Sequence, residues 1–504
     1  MHDQLNDSIK NLFGLSYLFP YQRLVITNIL EAAQAFSETQ ITENFDETAD
    51  RVTLGKQIVI LPTGAGKSLC FQLPAMLLDG ITLVIYPILS LMADQKRRLD
   101  ERGFSPVILR GEQNRKERDE IWKKLECKES KFIIANPEVL LTPQVKEKLE
   151  KIKVMHIVID EAHCVSEWGE SFRPSYLEIG SIIKLLNPPL VTAFTATASS
   201  PVLEKIEKYI FGDSGAHRIT GNPDRPNICY SAKGCVNRNM AVRDLLIKNP
   251  RPAIVFCSSR PGTEKLAHYL RNELSEMGYA WNEEIRFYHA GLSRDEKTET
   301  EKWFINNSRA VLCATCAYGM GVDKADVRTV IHRDCAPSVE AYLQESGRAG
   351  RDGGQSRAVL LWGPEDEITL ARTRKDTDRD RVTALLRYAR DIKHCRRHSL
   401  LAMLDYNADG EVPEKYCCDV CENEAGENIR EELSVIEFFR KNKRRYTVDE
   451  AVSVLAANEL NFFNHTCRIK WSEEEAKSVI NYLLKNGKIK KGRFFPWKNK
   501  LSPK

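Results

Sequence analysis

Short runs of apolar, mostly β-branched residues recur along the chain, spaced by longer stretches of helical pattern. Between Gln57 and Gly212 the runs are "QIVIL", "ITLVIYP", "KFIIA", "HIVID" and "VTAFTATA". Stretches such as "SLMADQKRRLDERG" separate them. Continuous apolar runs belong to strands buried on both faces, and their alternation with helices predicts a parallel α/β sheet. The rhythm restarts at Pro252 with "PAIVFC", "IRFYHA", "AVLCAT", "TVIHRD" and "AVLLW", which predicts a second sheet of the same kind. Between the two, "GNPDRPNICY" reads as a linker or as the opening strand of the second lobe.

After Gly363 the pattern turns helical and charged as far as Leu401, and Cys417, Cys418 and Cys421 follow. From Arg430, "ELSVIEFFRKN", "TVDEAVSVLAA" with Thr447 as N-cap, and "EEEAKSVINYLLKNG" closing at Gly487 predict three helices. "KIKKGRFFPWKNKL" predicts a β-hairpin turning near Gly492. Three helices and a hairpin predict a winged-helix domain. The expected layout is two α/β lobes at 1–213 and 214–363, a helical segment with the cysteines at 364–426, and the winged helix at 427–504. The acidic stretch Ser37–Arg51 reads as a solvent loop.

Composition sharpens one end of this picture. The net charge of +4 over 504 residues is ordinary, but residues 430–504 carry 17 Lys/Arg against 9 Asp/Glu, so the preceding body is mildly acidic. A basic terminal module suggests a polyanion partner there. The 14 cysteines lie mostly among apolar residues, which fits a reducing cytoplasm rather than a disulfide framework. "MHDQLNDSIK" lacks a signal peptide's basic start and apolar run, and no apolar stretch reaches the ~20 residues that span a bilayer. No membrane partner is expected, and a monomer is the default.

Three motifs carry chemistry. "LPTGAGKS" (Leu61–Ser68) follows a strand and opens a helix, the context of a phosphate loop. Thr63, Gly64, Ala65 and Gly66 would bring backbone N–H groups to phosphate oxygens, Lys67 would reach the β/γ-phosphates, and Ser68 would sit on Mg²⁺. "IVIDEAH" ends a second strand in carboxylates. Asp160 would hold Mg²⁺ through water, and Glu161 would orient or deprotonate the attacking water. In "YLQESGRAGRDG", Arg348 and Arg351 are three apart on an expected helical turn, where both can face one side as arginine fingers for the γ-phosphate.

With "FGLSYLFPYQ", "PTGAGKSLCFQLPA", "DEAHCVSEWG", "FTATAS", "DRPNICY", "VFCSSR", "ATCAYGMGVDKADVR", "QESGRAGRDG", "CRR" and "CDVC" in this order, the chain from about Phe13 to Cys421 resembles the RecQ family of ATP-dependent DNA helicases in helicase superfamily 2. The resemblance implies two RecA-like lobes, a helical zinc-binding subdomain and a winged helix. It also implies ATP-driven 3′→5′ movement on single-stranded DNA, with tailed or forked duplex as substrate. By the same resemblance Gln22 would read the adenine edge, and His163 would link the nucleotide site to Thr195 and Thr197. Gly321, Asp323 and Gln344 would stand with the two arginines at the interlobe cleft. Trp168, Phe172 and Arg173 fall in the family's aromatic-rich loop, where rings can stack on bases and the guanidinium can meet phosphate. A further helical domain found after the winged helix in some relatives is not expected.

The chain departs from the family in three places, and its hairpin leaves a choice open. Phe19 stands where an arginine usually contacts adenine, so the base would meet an apolar wall and nucleotide choice would be looser. Glu167, Glu170 and Ser171 replace Gln, His and Asp in the aromatic-rich loop, and two added carboxylates predict weaker, more salt-sensitive coupling to DNA. For zinc, Cys395, Cys418 and Cys421 align, but the fourth ligand is either Cys417, directly adjacent to the pair, or His398, one helical turn from Cys395. In the hairpin, Phe494, Phe495 and Trp497 are either a strand-separating wedge or the core of a small domain, while Lys488, Lys490, Lys491 and Arg493 are candidates for phosphate contact. The competing functional readings are a nucleic-acid-stimulated ATPase or remodeller that moves without unwinding, possible on RNA, and a binding module with an inactive ATPase. Intact Lys67, Glu161 and Arg351 oppose the last.

Overall fold

In the computed structural model the alternating runs become two parallel sheets. Residues 2–39, 55–62, 65–111, 113–167, 173–196, 198–319, 324–372, 376–404, 406, 413, 415–426, 431–457 and 473–504 are described. The chain divides into two units, Met1–Asp224 with Leu404–Tyr406, and Arg225–Met403 with Asn407–Lys504.

The first unit holds β1 (Lys56–Ile60), β2 (Ile81–Ile85), β3 (Val107–Leu109), β4 (Phe132–Ala135), β5 (Val154–Ile159), β6 (Leu190–Thr195) and β7 (His217–Thr220). Their order is β3-β4-β2-β5-β6-β1-β7, with every pair parallel. β5 and β6 are buried along their whole length, which is why both read as unbroken apolar runs. They fill the space between β2 and β1, so the carboxyl ends of β5, β6 and β1 lie side by side. Leu5, Ile9, Leu18, Ile26 and Leu73 form a small core that seats the two N-terminal helices, His2–Phe13 and Pro20–Thr39, against the helix Lys67–Leu77. β7 corrects the expected boundary at 213/214. It pairs with β1, so the first sheet continues past that point.

The second unit holds β8 (Ile228–Gly234), β9 (Ala253–Phe256), β10 (Ile285–Tyr288), β11 (Val311–Ala314), β12 (Thr329–His332) and β13 (Ser356–Trp362), in the order β10-β11-β9-β12-β13-β8 and again all parallel. The cysteine segment covers the β8 edge. Tyr230 N donates to Cys417 O at 3.3 Å, Asp419 N donates to Tyr230 O at 3.0 Å, and Ala232 N donates to Asp419 Oδ2 at 2.9 Å. The other Asp419 oxygen accepts from the buried Arg396 guanidinium.

Three helices, Glu432–Lys441, Val448–Ala457 and Glu473–Lys485, end the chain with an antiparallel pair, β14 (Ile489–Lys491) and β15 (Leu501–Pro503). Thr447 and Glu450 exchange hydrogen bonds ahead of the second of these helices, with Glu450 Oε2 accepting from Thr447 N at 2.7 Å. The turn between the two strands runs over residues 492–500 rather than closing at Gly492. A Cβ on Gly492 would meet Trp497 O at 2.0 Å, so the chain there passes too close for any other residue. The buried Glu431 carboxylate accepts from Val236 N and Asn237 N, fastening this module to the start of the helix Arg238–Lys248. The segments expected as separate domains after residue 363 share one continuous core with the second sheet, running from Ile228 and Leu360 through Cys417 and Cys418 to Phe439, Leu483 and Leu501. Among the described residues, no helix is long and apolar enough to cross a membrane.

Breaking a buried ion pair from one side leaves an uncompensated charge. Asp419→Asn is therefore expected to destabilise the second unit by about 3–5 kcal/mol, checked by urea unfolding against the unaltered chain.

Candidate functional site

Strand order in the first sheet brings the phosphate loop after β1, the carboxylates after β5 and Thr195 of β6 to one edge. β1 leads into Leu61, whose N–H donates to Thr195 O at 3.0 Å, and the chain then turns into the helix Lys67–Leu77. Gly66 caps that helix with φ of 73° in the left-handed region, and a Cβ there would lie 2.6 Å from Gln22 Nε2. The left-handed conformation favours glycine, and a side chain there would also have to displace the Gln22 amide. Lys67 opens the helix. Its Nζ is buried, makes no hydrogen bond, and lies 3.8 Å from Glu161 Oε2. A buried ammonium without a hydrogen-bond acceptor, at the positive end of a helix, fits phosphate oxygens. Ser68 is half-buried in the same first turn, while Thr63 and Gly64 lie outside the described residues.

Asp160 and Glu161 follow β5. Asp160 N donates to Ile85 O and Ala162 N to Phe194 O, so neighbouring strands grip the backbone on both sides of Glu161. Glu161 itself has φ of 53°, a strained conformation for a side-chain-bearing residue. Burial, and then the neighbouring Glu161 carboxylate, push the Asp160 carboxyl up to about 6 against the pull of Lys67. Two carboxylates in so dry a place fit a hard divalent cation such as Mg²⁺. Glu161 Oε2 is 3.5 Å from His163 Nδ1, which is 3.1 Å from Thr195 Oγ1. Thr197 lies outside the described residues.

Gln22 is only 4% exposed, and its amide is engaged at both ends. Oε1 accepts from Phe19 N at 3.0 Å, and Nε2 donates to Ala65 O at 2.9 Å, the carbonyl just before Gly66. Here it braces the phosphate loop. The exposed face nearby is aromatic: Phe19 stacks on Tyr21 with centroids 5.6 Å apart and planes 8° from parallel, and Tyr17 meets Phe19 edge-on. Arg173 is not turned out toward a phosphate. It forms a two-pronged ion pair with Glu138 at 2.6 and 2.7 Å, donates to Pro87 O, and lies over the Tyr176 ring. Burial raises the Glu138 carboxyl, but hydrogen bonds from Arg173 and Ser175 outweigh it and hold the group below its ordinary value. Trp168, Glu170, Ser171 and Phe172 lie outside the described residues, as does the Glu167 side chain.

In the second unit the helix Val339–Ser346 carries Gln344, half-buried, and stops before the arginines. Arg348 and Arg351 therefore do not share a helical turn. Gly350 between them has φ of 55°, and a Cβ there would meet Gly354 O at 2.4 Å. Arg348 is 4% exposed and lies over the Tyr318 ring at 5.9 Å, whereas Arg351 is half-buried. Two residues that the sequence reading left without a role hold this turn. Arg225 and Asn227, both in "DRPN", donate to carbonyls along it. The signal available was a lone cation and amide flanking Pro226, with no periodicity to say where they point. Gly321 and Asp323 lie outside the described residues.

The four thiols of Cys395, Cys417, Cys418 and Cys421 lie within 4.8 Å of one another. Cys395 Sγ is 3.5 Å from Cys417 Sγ and 3.9 Å from Cys418 Sγ. Tetrahedral zinc with Zn–S of about 2.3 Å needs sulfurs about 3.8 Å apart, so the donor set fits. His398 is exposed and outside the group.

Comparison with known proteins agrees with this geometry. The DEAD/DEAH box helicase family matches residues 19–206, and the helicase conserved C-terminal domain matches residues 237–353. The chain is 38% identical over 338 residues to the probable ATP-dependent DNA helicase RecS of Bacillus subtilis, covering 66% of each protein. It is 31% identical over 438 residues to the ATP-dependent DNA helicase RecQ of the same organism, covering 85% of this chain and 72% of that one. The chain belongs to the RecQ family. It spans two-thirds or less of the length of several of its RecQ-family relatives. The DUF1998 helicase MrfA bound to DNA and AMPPNP shares the fold, with a TM-score of 0.55 at 17% identity over 100% of this chain and 61% of that one.

In this RecQ-family chain the final turn is a solvent-facing aromatic tip. Phe494 and Phe495 are 80% and 91% exposed, so neither is core, and Trp497 is covered on one side by Arg444 at 4.7 Å. Lys490, Lys491 and Arg493 are exposed around it, but Lys488 is paired with the buried Glu432 carboxylate. The thiol geometry carries a direct consequence: Cys417→Ser is expected to strip bound zinc from the purified protein, while His398→Ala keeps the full complement, as read by metal analysis.

Proposed function

We propose that this RecQ-family chain is an ATP-dependent DNA helicase that moves 3′→5′ along single-stranded DNA and unwinds tailed or branched duplexes of the kind met in recombination and repair. The observation that carries the reading is the buried Lys67 ammonium, without a hydrogen bond, at a helix start beside Asp160 and Glu161. Backbone N–H groups at Ala65–Ser68 and the Lys67 ammonium hold the triphosphate, and Ser68 and Asp160 hold Mg²⁺. Mg²⁺ held there would neutralise charge on the phosphates. Glu161 orients water and takes its proton, and Gln344, Arg348 and Arg351 supply the cationic and polar contacts of the second lobe. His163, hydrogen-bonded to Thr195, passes the state of this site to the residues beyond β6.

The four cysteines act as a structural zinc site within a helical subdomain, and the last three helices with their hairpin act as a winged helix. Its exposed rings and the cations at Lys490, Lys491 and Arg493 suit an unpaired base and its phosphates. The aromatic face at Tyr17, Phe19 and Tyr21 supports base stacking with a loose choice between ATP and GTP.

ATP hydrolysis is expected to rise with single-stranded DNA, and a 3′-tailed duplex is expected to be unwound where a 5′-tailed one is not. Hydrolysis indifferent to nucleic acid would sink the motor reading, and stimulation without strand separation would leave a translocase. Lys67→Ala is expected to lower kcat on the order of 10²-fold or more, the scale of removing one charge-stabilising donor. Trp168→Ala is expected to keep basal hydrolysis and lose its stimulation by DNA.

A further inference from the structure

The turn bearing Arg348 and Arg351 lies outside regular structure, between a helix that ends at Ser346 and a strand that starts at Ser356. Its carbonyls converge on two side chains. Arg225 Nη1 donates to Gly347 O at 3.0 Å, and Nη2 donates to Ala349 O at 3.0 Å and Gly350 O at 2.9 Å. Asn227 Nδ2 donates to Gly350 O at 2.8 Å and Gly354 O at 2.9 Å. A planar guanidinium can serve three carbonyls at once, which a lysine ammonium on its flexible stem cannot do in the same geometry.

The clamp is itself held from behind. Arg397 is buried two residues beyond Cys395. It donates to the carbonyl of Arg225 at 2.9 Å and to that of Ile228 at 2.7 Å. It also lies over the ring of Tyr230, whose backbone pairs with Cys417 and Asp419. An unbroken set of hydrogen bonds and ring contacts thus runs from the cysteine centre through Arg397 to residues 225–228, and from there to the arginine turn.

We propose that Arg225 and Asn227 are positioning residues for the arginine turn, and that Arg397 makes their placement depend on the cysteine centre. That centre then governs the rate of phosphoryl transfer as well as the folding of its own segment. The proposal rests on the reading of Arg348 and Arg351 as arginine fingers. A misplacement of about 1 Å can cost on the order of 10²-fold in rate, so a clamp that fixes several carbonyls of one turn is a rate-determining feature even though it touches no substrate.

Hydrolysis and amide hydrogen exchange of the full chain test this together. Arg225→Lys and Asn227→Ala are expected to raise exchange at residues 347–354 by about tenfold without nucleotide, while the core strands keep their protection. Arg225→Lys should lower kcat about ten- to a hundredfold and leave KM for ATP within about threefold, the pattern of a lost transition-state contact. Adding Arg225→Lys to a chain that already carries Arg348→Ala and Arg351→Ala should slow it no further, because the clamp acts through those two groups. Arg397→Lys should retain zinc and still loosen the turn. Wild-type exchange at 347–354 in both Arg225→Lys and Asn227→Ala overturns the clamp, and so does a further loss of rate when Arg225→Lys is added to the chain lacking both arginines. Zinc-replete Arg397→Lys with a wild-type turn overturns the link to the cysteine centre. If Arg351→Ala hydrolyses at the wild-type rate, the finger reading falls instead, and the exchange data still decide whether the clamp exists.

Discussion

A strand buried on both faces has no place for a charge until it ends. β5 is apolar or neutral from Val154 to Ile159, and Asp160 is the first position where a carboxylate can reach a polar neighbour. Because β6 separates β5 from β1, that position falls beside Thr195 and across from the helix opened by Lys67. Burial at the dry end of the sheet and the adjacent Glu161 carboxylate raise the Asp160 carboxyl, and Glu161 itself sits at a positive φ.

The second unit solves a different problem with the same means. Arg238, Arg396 and Arg397 are buried, which is expensive unless carboxylates or carbonyls compensate the charge. Arg238 pairs with Asp334 and Asp366, Arg396 with Asp419, and Arg397 spends its donors on backbone carbonyls. Each guanidinium stitches elements far apart in sequence, so the unit has one continuous core where the pattern of helices and cysteines had suggested three separate bodies.

The cysteine segment belongs to this stitching. An open sheet edge offers unpaired N–H and C=O groups, and covering it is a standard way to avoid wrong pairing. Here β8 is covered by the backbone and side chain of Cys417–Asp419, adjacent to the four gathered thiols. The adjacent Cys417 and Cys418 both join the group, and Tyr416, just before them, has φ of 62°.

The sequence alone determined the elements and the chemistry of the first site, because both are written in local pattern. Apolar runs and phosphate-loop spacing do not depend on distant residues, and "IVIDEAH" carries its strand and its charges in seven letters. Tertiary structure decided everything that turns on which way a long polar side chain points. Arg173 and Lys488 look like free cations in sequence, yet Glu138 and Glu432 claim them. Arg225 and Arg397 look unremarkable, yet they hold carbonyls more than a hundred residues away. β7 was invisible at the 213/214 boundary because an exposed edge strand of four residues has no apolar run. Phe494 and Phe495 could have been core or tip, and only the packing of Leu483, Ile489 and Leu501 beneath the hairpin left them outside. Hydrophobic periodicity is a local property, whereas hydrogen-bond partnership is settled only when distant backbone carbonyls are brought within 3 Å of a donor.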